Sequence, residues 1–409
     1  MRSLPFNSLV TIYSIIVGVL YWFRTLSKIN KKKEDFYLKI LVTGAFGNVG
    51  LSTINELLKR NHQVRVFEIC NKKNRKIAKK YKSNLEIIWG DLRNYNDVKR
   101  AVDGQDIVIH LAAIIPPLAD TNPELAEEVN IGGTLNIINA MKKQRNKPKL
   151  IFTSSIAVYG DRRENPLIKV GDPLKPSRGD YYALTKIEAE KLIQESGVTF
   201  SIFRLTYITS INKLKMDPLM FHMPLDTCIE ICDTKDVGYA LVNAIECDEV
   251  WGKAFLIAGG EQCRTTYKEY LNNMMEIFGL GSSFLPENAF EQKDFHCGFM
   301  DTKRSQQLLA YQRHTLNDYY SEVRKKIGSK RYFMPLAKWV IRLNLLKHSY
   351  TYRRFKFFKK KAGAFTVSEN KLIRKIISNN FKKIDTLEDK VRNLENLIEE
   401  LQGKIILER

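Results

Sequence analysis

Around residue 50 the chain leaves few choices of fold. An apolar run at residues 37–43 feeds straight into Thr43-Gly44-Ala45-Phe46-Gly47-Asn48-Val49-Gly50, and helical spacing follows. Each glycine has its own task at this spacing. Gly44 permits a tight turn, Gly47 lets the backbone approach a pyrophosphate, and Gly50 lets helix and strand pack closely. The helix then offers free N–H groups and the positive end of its dipole to phosphate. Glu68, 18 residues after Gly50, ends the next apolar run. A carboxylate there accepts from adenosine ribose hydroxyls and repels a 2′-phosphate, which selects NAD. Lys72, Lys73 and Arg75 lie close by and keep NADP open as the alternative.

Apolar runs at residues 63–68, 85–89, 107–111, 150–154 and 200–204 alternate with helical patterns as far as residue 260. Continuous Val/Ile/Leu strands suit a parallel sheet buried on both faces. The alternation predicts an α/β fold: a Rossmann-type doubly wound parallel sheet, with a small C-terminal substrate-binding subdomain. Hydrophobic content of 44% and charged content of 27% suit a globular core rather than wholesale disorder. Six cysteines without a Cys-x-x-Cys read as scattered reduced thiols.

The net charge of +21 suggests nucleic acid until it is divided along the chain. Residues 1–33 carry +6, residues 324–383 carry +18, residues 384–409 carry −3, and residues 34–323 are neutral. The charge belongs to the flanks, no nucleic-acid motif accompanies it, and nucleic acid is not expected as a partner. Residues 4–23 form an uncharged, largely apolar run followed by Arg24, Lys28, Lys31, Lys32 and Lys33. The expectation is a transmembrane anchor with the catalytic domain facing the cytoplasm. In the basic segment, Leu336, Trp339, Val340, Leu343 and Leu346 fall at helical spacing among Lys338 and Arg342. This predicts an amphipathic segment at a membrane interface. In the tail, Ile384, Val391, Ile398 and Ile405 alternate with Leu387, Leu394 and Leu401 as a heptad, predicting a coiled-coil homodimer. The expected organisation is therefore an anchor at 1–33, a catalytic domain at 34–325, a basic segment at 326–383 and a coiled coil at 384–409.

Further blocks follow in order. They are Gly90-Asp91-Leu92, Asp106-Ile107-Val108-Ile109-His110-Leu111-Ala112-Ala113, Asn130-Ile131-Gly132-Gly133-Thr134, Thr153-Ser154-Ser155-Ile156-Ala157-Val158-Tyr159-Gly160, Tyr182-Ala183-Leu184-Thr185-Lys186, and Asp301, Arg304 and residues 308–311. With the glycine loop, these resemble the extended short-chain dehydrogenase/reductase family, in its NAD-dependent epimerase/dehydratase group, over roughly residues 37–325. The resemblance implies a catalytic trio of Ser155, Tyr182 and Lys186. It also implies cofactor contacts from Gly44, Phe46, Gly47, Asn48, Val49, Gly50, Glu68, Asp91, Leu92, Leu111, Ala112, Ala113, Asn130 and Lys186. Tyr182 and Lys186, four apart, share a helical face, so the ammonium and the positive nicotinamide of a bound cofactor are together expected to lower the phenol's pKa. Tyr182 then exchanges a proton with a substrate oxygen and Ser155 bonds that same oxygen. Ser154 and Tyr181 are adjacent residues outside the motif. His110 reads as structural, and His222, His296 and His314 lack ligand spacing, so no metal is expected.

Two departures qualify the resemblance. Arg204 is followed by Leu205-Thr206-Tyr207-Ile208 where the family usually has Pro, and the segment up to Thr234 is short, which predicts a smaller pocket. Second, the flanks suit a membrane-associated substrate. The expected function is a nucleotide-sugar or lipid-linked-sugar epimerase using transient hydride transfer with Tyr182 as base; the alternatives are a membrane-associated NAD(P)-dependent dehydrogenase or reductase of an alcohol or ketone, and a non-catalytic dinucleotide-binding scaffold. Asp161 and Glu164 lie beside the active-site strand, but not in a dehydratase arrangement.

Overall fold

A computed structural model describes residues 37–362 apart from 82, 83, 215 and 217. The expected membrane anchor, the coiled coil and residues 363–383 of the basic segment lie outside the described residues. Seven strands form one parallel sheet: β1 (Lys39–Thr43), β2 (Gln63–Glu68), β3 (Glu86–Trp89), β4 (Ile107–His110), β5 (Lys149–Ser155), β6 (Phe200–Leu205) and β7 (Lys253–Ile257). Their spatial order is β7-β6-β5-β4-β1-β2-β3. The doubly wound fold expected from the alternation is therefore present, and β7 extends it beyond the runs singled out in the sequence. The order reverses between β1 and β4, and a crevice opens at the strands' C-terminal ends there.

The strands are apolar throughout because both faces are covered. Ile40, Val42, Ile107 and Ile109 face one core, with Ile54 and Leu57 of helix α1 (Asn48–Lys59). Leu41 and Val108 face the other, with Ile137 and Met141 of α3 (Gly133–Lys142), which packs beside α2 (Tyr95–Val102), and Ile193 of α4 (Tyr181–Glu195). Helix α5 (Thr234–Ile245) crosses α1 so closely that a Cβ on Gly238 would stand 2.8 Å from the Ser52 carbonyl carbon.

A second core lies beyond the C-terminal strand ends. It joins a three-stranded sheet (Tyr207–Thr209, Cys228–Asp233, Arg264–Thr266) to α6 (Tyr267–Ile277) and α7 (Leu316–Ile327). Both helices open with capping boxes, Thr266 with Glu269 and Thr315 with Asp318. The domain boundary expected at 325/326 falls inside α7. Helices α8 (Lys338–Leu346) and α9 (Tyr350–Ala362) continue the same core, burying Leu346 and packing Ile341, Leu345 and Tyr352 against it. The described part of the basic segment thus belongs to the substrate subdomain, because apolar residues on its inner face complete that core. No helix among the described residues is long and apolar enough to cross a membrane.

Candidate active site

The crevice is a cavity of about 2260 Å³. Single small-ligand pockets run to about 1,000 Å³, so two ligands fit side by side. The short segment after Arg204 therefore does not make a small pocket. Its residues line the cavity instead of closing it. Every cofactor-contact candidate except Asn130 lines this cavity, as do Ser155, Tyr182 and Lys186.

Gly44 and Gly50 are glycines for steric reasons. Gly44 has φ +67°, and a Cβ there would stand 2.7 Å from Ala112. At Gly50 it would stand 2.4 Å from the Gly44 carbonyl oxygen. A Cβ on Gly47 would meet only that oxygen, at 3.2 Å, so its smallness serves the cavity more than internal packing. Gly47 is the N-cap of α1 and brings no side chain to the helix N-terminus. Glu68 accepts from the Phe46 backbone N–H at 2.7 Å and from Asn74 Nδ2 at 3.0 Å, which fixes the loop against the end of β2. Burial raises its pKa from the ordinary carboxylate value. Asp91 sits on the rim with Arg93 clasping it at 2.7 Å, and that pairing holds its pKa low. These walls, with a carboxylate beyond a glycine-framed helix N-terminus, fit a dinucleotide.

Asn130 stands behind the wall. It is buried in a π turn (Glu127–Gly132), accepts from the Ile114 N–H at 2.8 Å, and donates to the Ile114 carbonyl and to Thr185 Oγ1. It was expected as a cofactor contact. Its whole amide is spent tying α4 to the turn after β4, which makes it a positioning residue. His110 is also structural: its ring nitrogens meet Thr43 and Thr134 at 2.7 and 3.1 Å, and burial lowers its pKa to about 3.

Asp180 caps α4 by accepting from the Ala183 N–H at 2.9 Å. At the other end, Glu190 meets Arg204 of β6 at 2.6 Å in a buried ion pair that fixes the helix against the sheet. Between these anchors, Tyr182 and Lys186 face the cavity. The Ser155 hydroxyl bonds to the Tyr182 phenol and accepts from the Ala157 N–H at 3.2 Å. Lys186 Nζ donates to the Thr153 carbonyl at 2.8 Å and lies 5.9 Å from the Tyr182 ring centroid. The protein's own groups do not by themselves lower the phenol pKa. Burial dominates and pushes Tyr182 up to about 12, with Ser155 opposing and the Asp180 charge adding. Burial also lowers Lys186 to about 7, which weakens the cation meant to stabilise a phenolate.

Several lining residues were not expected in the site from the sequence. Ser154 Oγ is buried without a partner among the described residues, so a ligand atom could satisfy it. His296 Nδ1 meets Asp180 Oδ2 at 2.5 Å, joining α4 to the loop after Phe290. Asp120 accepts from the Tyr182 backbone N–H, and burial followed by the Asp180 charge raises its pKa. From the second core the lining receives Leu214, Met220, Met223, Leu271, Met274 and Phe278, alongside His222, Glu291, Lys293 and Asp294. Among the described residues no His/Cys/Asp/Glu group is arranged to hold a metal ion.

The model of the 3-beta hydroxysteroid dehydrogenase/isomerase family matches residues 41–201. UDP-glucose 4-epimerase of Pisum sativum is 30% identical over 199 residues, covering 44% of this chain and 56% of that protein. 3-beta-hydroxysteroid dehydrogenase of Mycolicibacterium neoaurum is 32% identical over 165 residues, covering 38% and 42%. The chain thus spans about half the length of the curated relatives it matches. Among solved structures, UDP-glucose-4-epimerase from Stenotrophomonas maltophila with bound NAD and formylated UDP-arabinopyranose superposes with a TM-score of 0.60 at 19% identity. It covers 74% of this chain and all of that one. WbmG from Bordetella bronchiseptica in complex with NAD and UDP gives 0.60 at 20% identity, covering 71% and 95%. These two share the fold. Over residues 41–201 the chain is similar to the 3-beta hydroxysteroid dehydrogenase/isomerase family, and the sequence blocks that resemble the extended short-chain dehydrogenase/reductase family assemble around one cavity.

Proposed function

We propose that this chain is an NAD(P)-dependent oxidoreductase that interconverts a secondary alcohol and a ketone on a predominantly apolar substrate. The observation that carries the substrate class is the group of Met, Leu and Phe side chains that the second core contributes to the lining. A site for a strongly polar ligand would leave that ligand's polar atoms unpaired against these side chains. Gly44, Gly47, Gly50 and Glu68 would hold the dinucleotide, which supplies or removes the electron pair and the carbon-bound hydrogen. Tyr182, with its pKa near 12, keeps its proton at neutral pH and is set to donate it to a carbonyl oxygen, so the reductive direction needs no prior ionisation. Ser155 orients that oxygen by the hydroxyl that already bonds the phenol. In the oxidative direction the phenol must first lose its proton. The Lys186 ammonium then contributes in proportion to its charged fraction.

Nucleotide-sugar epimerisation is the second reading. It is supported by relatives named as UDP-glucose epimerases and by Arg178, Lys293 and Arg354 on the lining, whose charges suit a diphosphate. Incubating the purified full chain with reduced dinucleotide and either hydrophobic ketones or UDP-sugars separates the two. Net dinucleotide oxidation with the ketones supports the oxidoreductase. Sugar conversion without net redox change, together with NAD released in stoichiometric amount on denaturation, would replace it with the epimerase.

A further inference from the structure

Helix α8 has apolar residues on two sides. Ile341, Leu345 and Leu346 face the substrate subdomain's core. Trp339, Val340 and Leu343, at i, i+1 and i+4, form an apolar stripe along one side of α8, and Leu336 precedes them in the 3-10 turn Met334–Ala337. That stripe points outward: Leu336 is 86% exposed, Trp339 75% and Val340 70%. Tyr332 and Phe333 extend it and are also exposed. A surface helix of a soluble domain normally turns polar residues to water, so an outward stripe of this size calls for an occupant.

The charges beside the stripe identify that occupant. The sequence contains no acidic residue from Val323 to Ser368. Lys338, Arg342 and Lys347 are exposed beside the stripe. Cations interleaved with Trp, Tyr and aliphatic side chains match a bilayer surface that offers anionic headgroups above hydrocarbon. Nucleic acid would meet the cations but leave Leu336 and Val340 in water. The stripe is also rigidly joined to the cavity. Ser349, between α8 and α9, donates to the Ala289 carbonyl at 2.6 Å, and the chain from Glu291 to Cys297 lines the cavity. Arg354 of α9 is itself a lining residue.

We propose that the outward stripe of α8 docks on an anionic lipid surface and holds the substrate end of the cavity against it. This interaction is separate from the expected N-terminal anchor and does not depend on the chemistry proposed above.

The test uses the full chain, because residues 4–23 could bring the protein to lipid unaided and sedimentation would not distinguish the two. Trp339 emission is isolated as the difference between wild type and Trp339→Phe. It is measured with brominated vesicles of phosphatidylcholine alone or mixed with phosphatidylglycerol. The expected result is quenching in the anionic vesicles, loss of quenching at high salt, and loss in Leu336→Asp/Val340→Asp. Neutralising Lys338 or Arg342 should weaken docking roughly fivefold each. That double variant alters only exposed positions, and unchanged dinucleotide binding will verify that it folds. Unquenched Trp339 in anionic vesicles overturns the proposal, and so does equal quenching on neutral lipid. Trp339 already shielded from iodide without vesicles also overturns it. Such shielding would assign the stripe to a segment of this chain or, if it depends on protein concentration, to a second copy. Shielding by added oligonucleotide but not by vesicles would assign it to nucleic acid.

Discussion

The two sides of the cavity are held by different physics. On the sheet side, backbone conformation and a few charges set the geometry: a glycine at φ +67°, a helix N-terminus, Glu68 against the Phe46 N–H, and the Glu190–Arg204 pair beneath α4. Few side chains meet those demands, so identities there are nearly forced. On the subdomain side, Leu, Met, Phe and Tyr pack around Tyr270, Leu271 and Met274, and many apolar combinations would fill the same volume. The first side therefore tolerates few substitutions, while the second tolerates many that keep its volume and apolar character.

That contrast can be broken at its chemical centre first. Tyr182→Phe removes the only proton the phenol can give, and turnover should fall by about 10²–10⁴-fold while dinucleotide affinity holds. Steady-state rates with equilibrium dinucleotide binding check this, and equal loss of both would return Tyr182 to a packing role. Next is the anchor beneath it. Glu190→Gln leaves Arg204 buried with half its pairing gone and should cost about 3–5 kcal/mol of stability in denaturant titration.

A pH series then separates chemistry from stability at Lys186. Burial lowers its pKa from 10.5 to about 7. Between those values the unfolded chain binds more protons than the folded one, so stability rises with pH across that window. If the charged form serves turnover, the reductive rate, for which Tyr182 stays protonated across this window, falls over the same range. Opposite slopes that both vanish in Lys186→Met support the assignment, and a flat rate profile in wild type counts against it. On the subdomain side, Met220→Ala should cut kcat/KM for an apolar substrate about 10–100-fold through KM, leaving dinucleotide binding unchanged.

Legibility in the sequence follows the same division. The glycine loop, Glu68, Tyr182 and Lys186 were readable because each solves a problem with few solutions. Asn130 was readable as a block member but not in its role, since nothing linear shows its amide reaching Ile114 and Thr185. At Tyr182, spacing shows a neighbouring charge but not the depth of burial that opposes it. The Asp180–His296 contact joins residues 116 apart and leaves no local pattern. Residues 326–362 were read as an appendage to the catalytic domain, because a basic composition masked the inner stripe ending at Leu346.

Glu68 is the position where the two kinds of constraint overlap, and it gives the smallest predicted effect. Its carboxylate lines the cavity while also accepting from the Phe46 N–H and from Asn74. Glu68→Gln keeps the size and an oxygen acceptor but removes the charge. If the charge acts by repelling a 2′-phosphate, NADP should gain about fivefold on NAD, about the 1 kcal/mol expected of one partly exposed like-charge contact. Lys73 lies in the same lining and already attracts that phosphate, which limits the gain. Competition between the two dinucleotides, measured in wild type and variant, reads the ratio directly. A parallel loss of both affinities would mean that Glu68 matters chiefly as the brace of the glycine loop. In that case selectivity resides in the Lys72–Ala78 helix that follows β2.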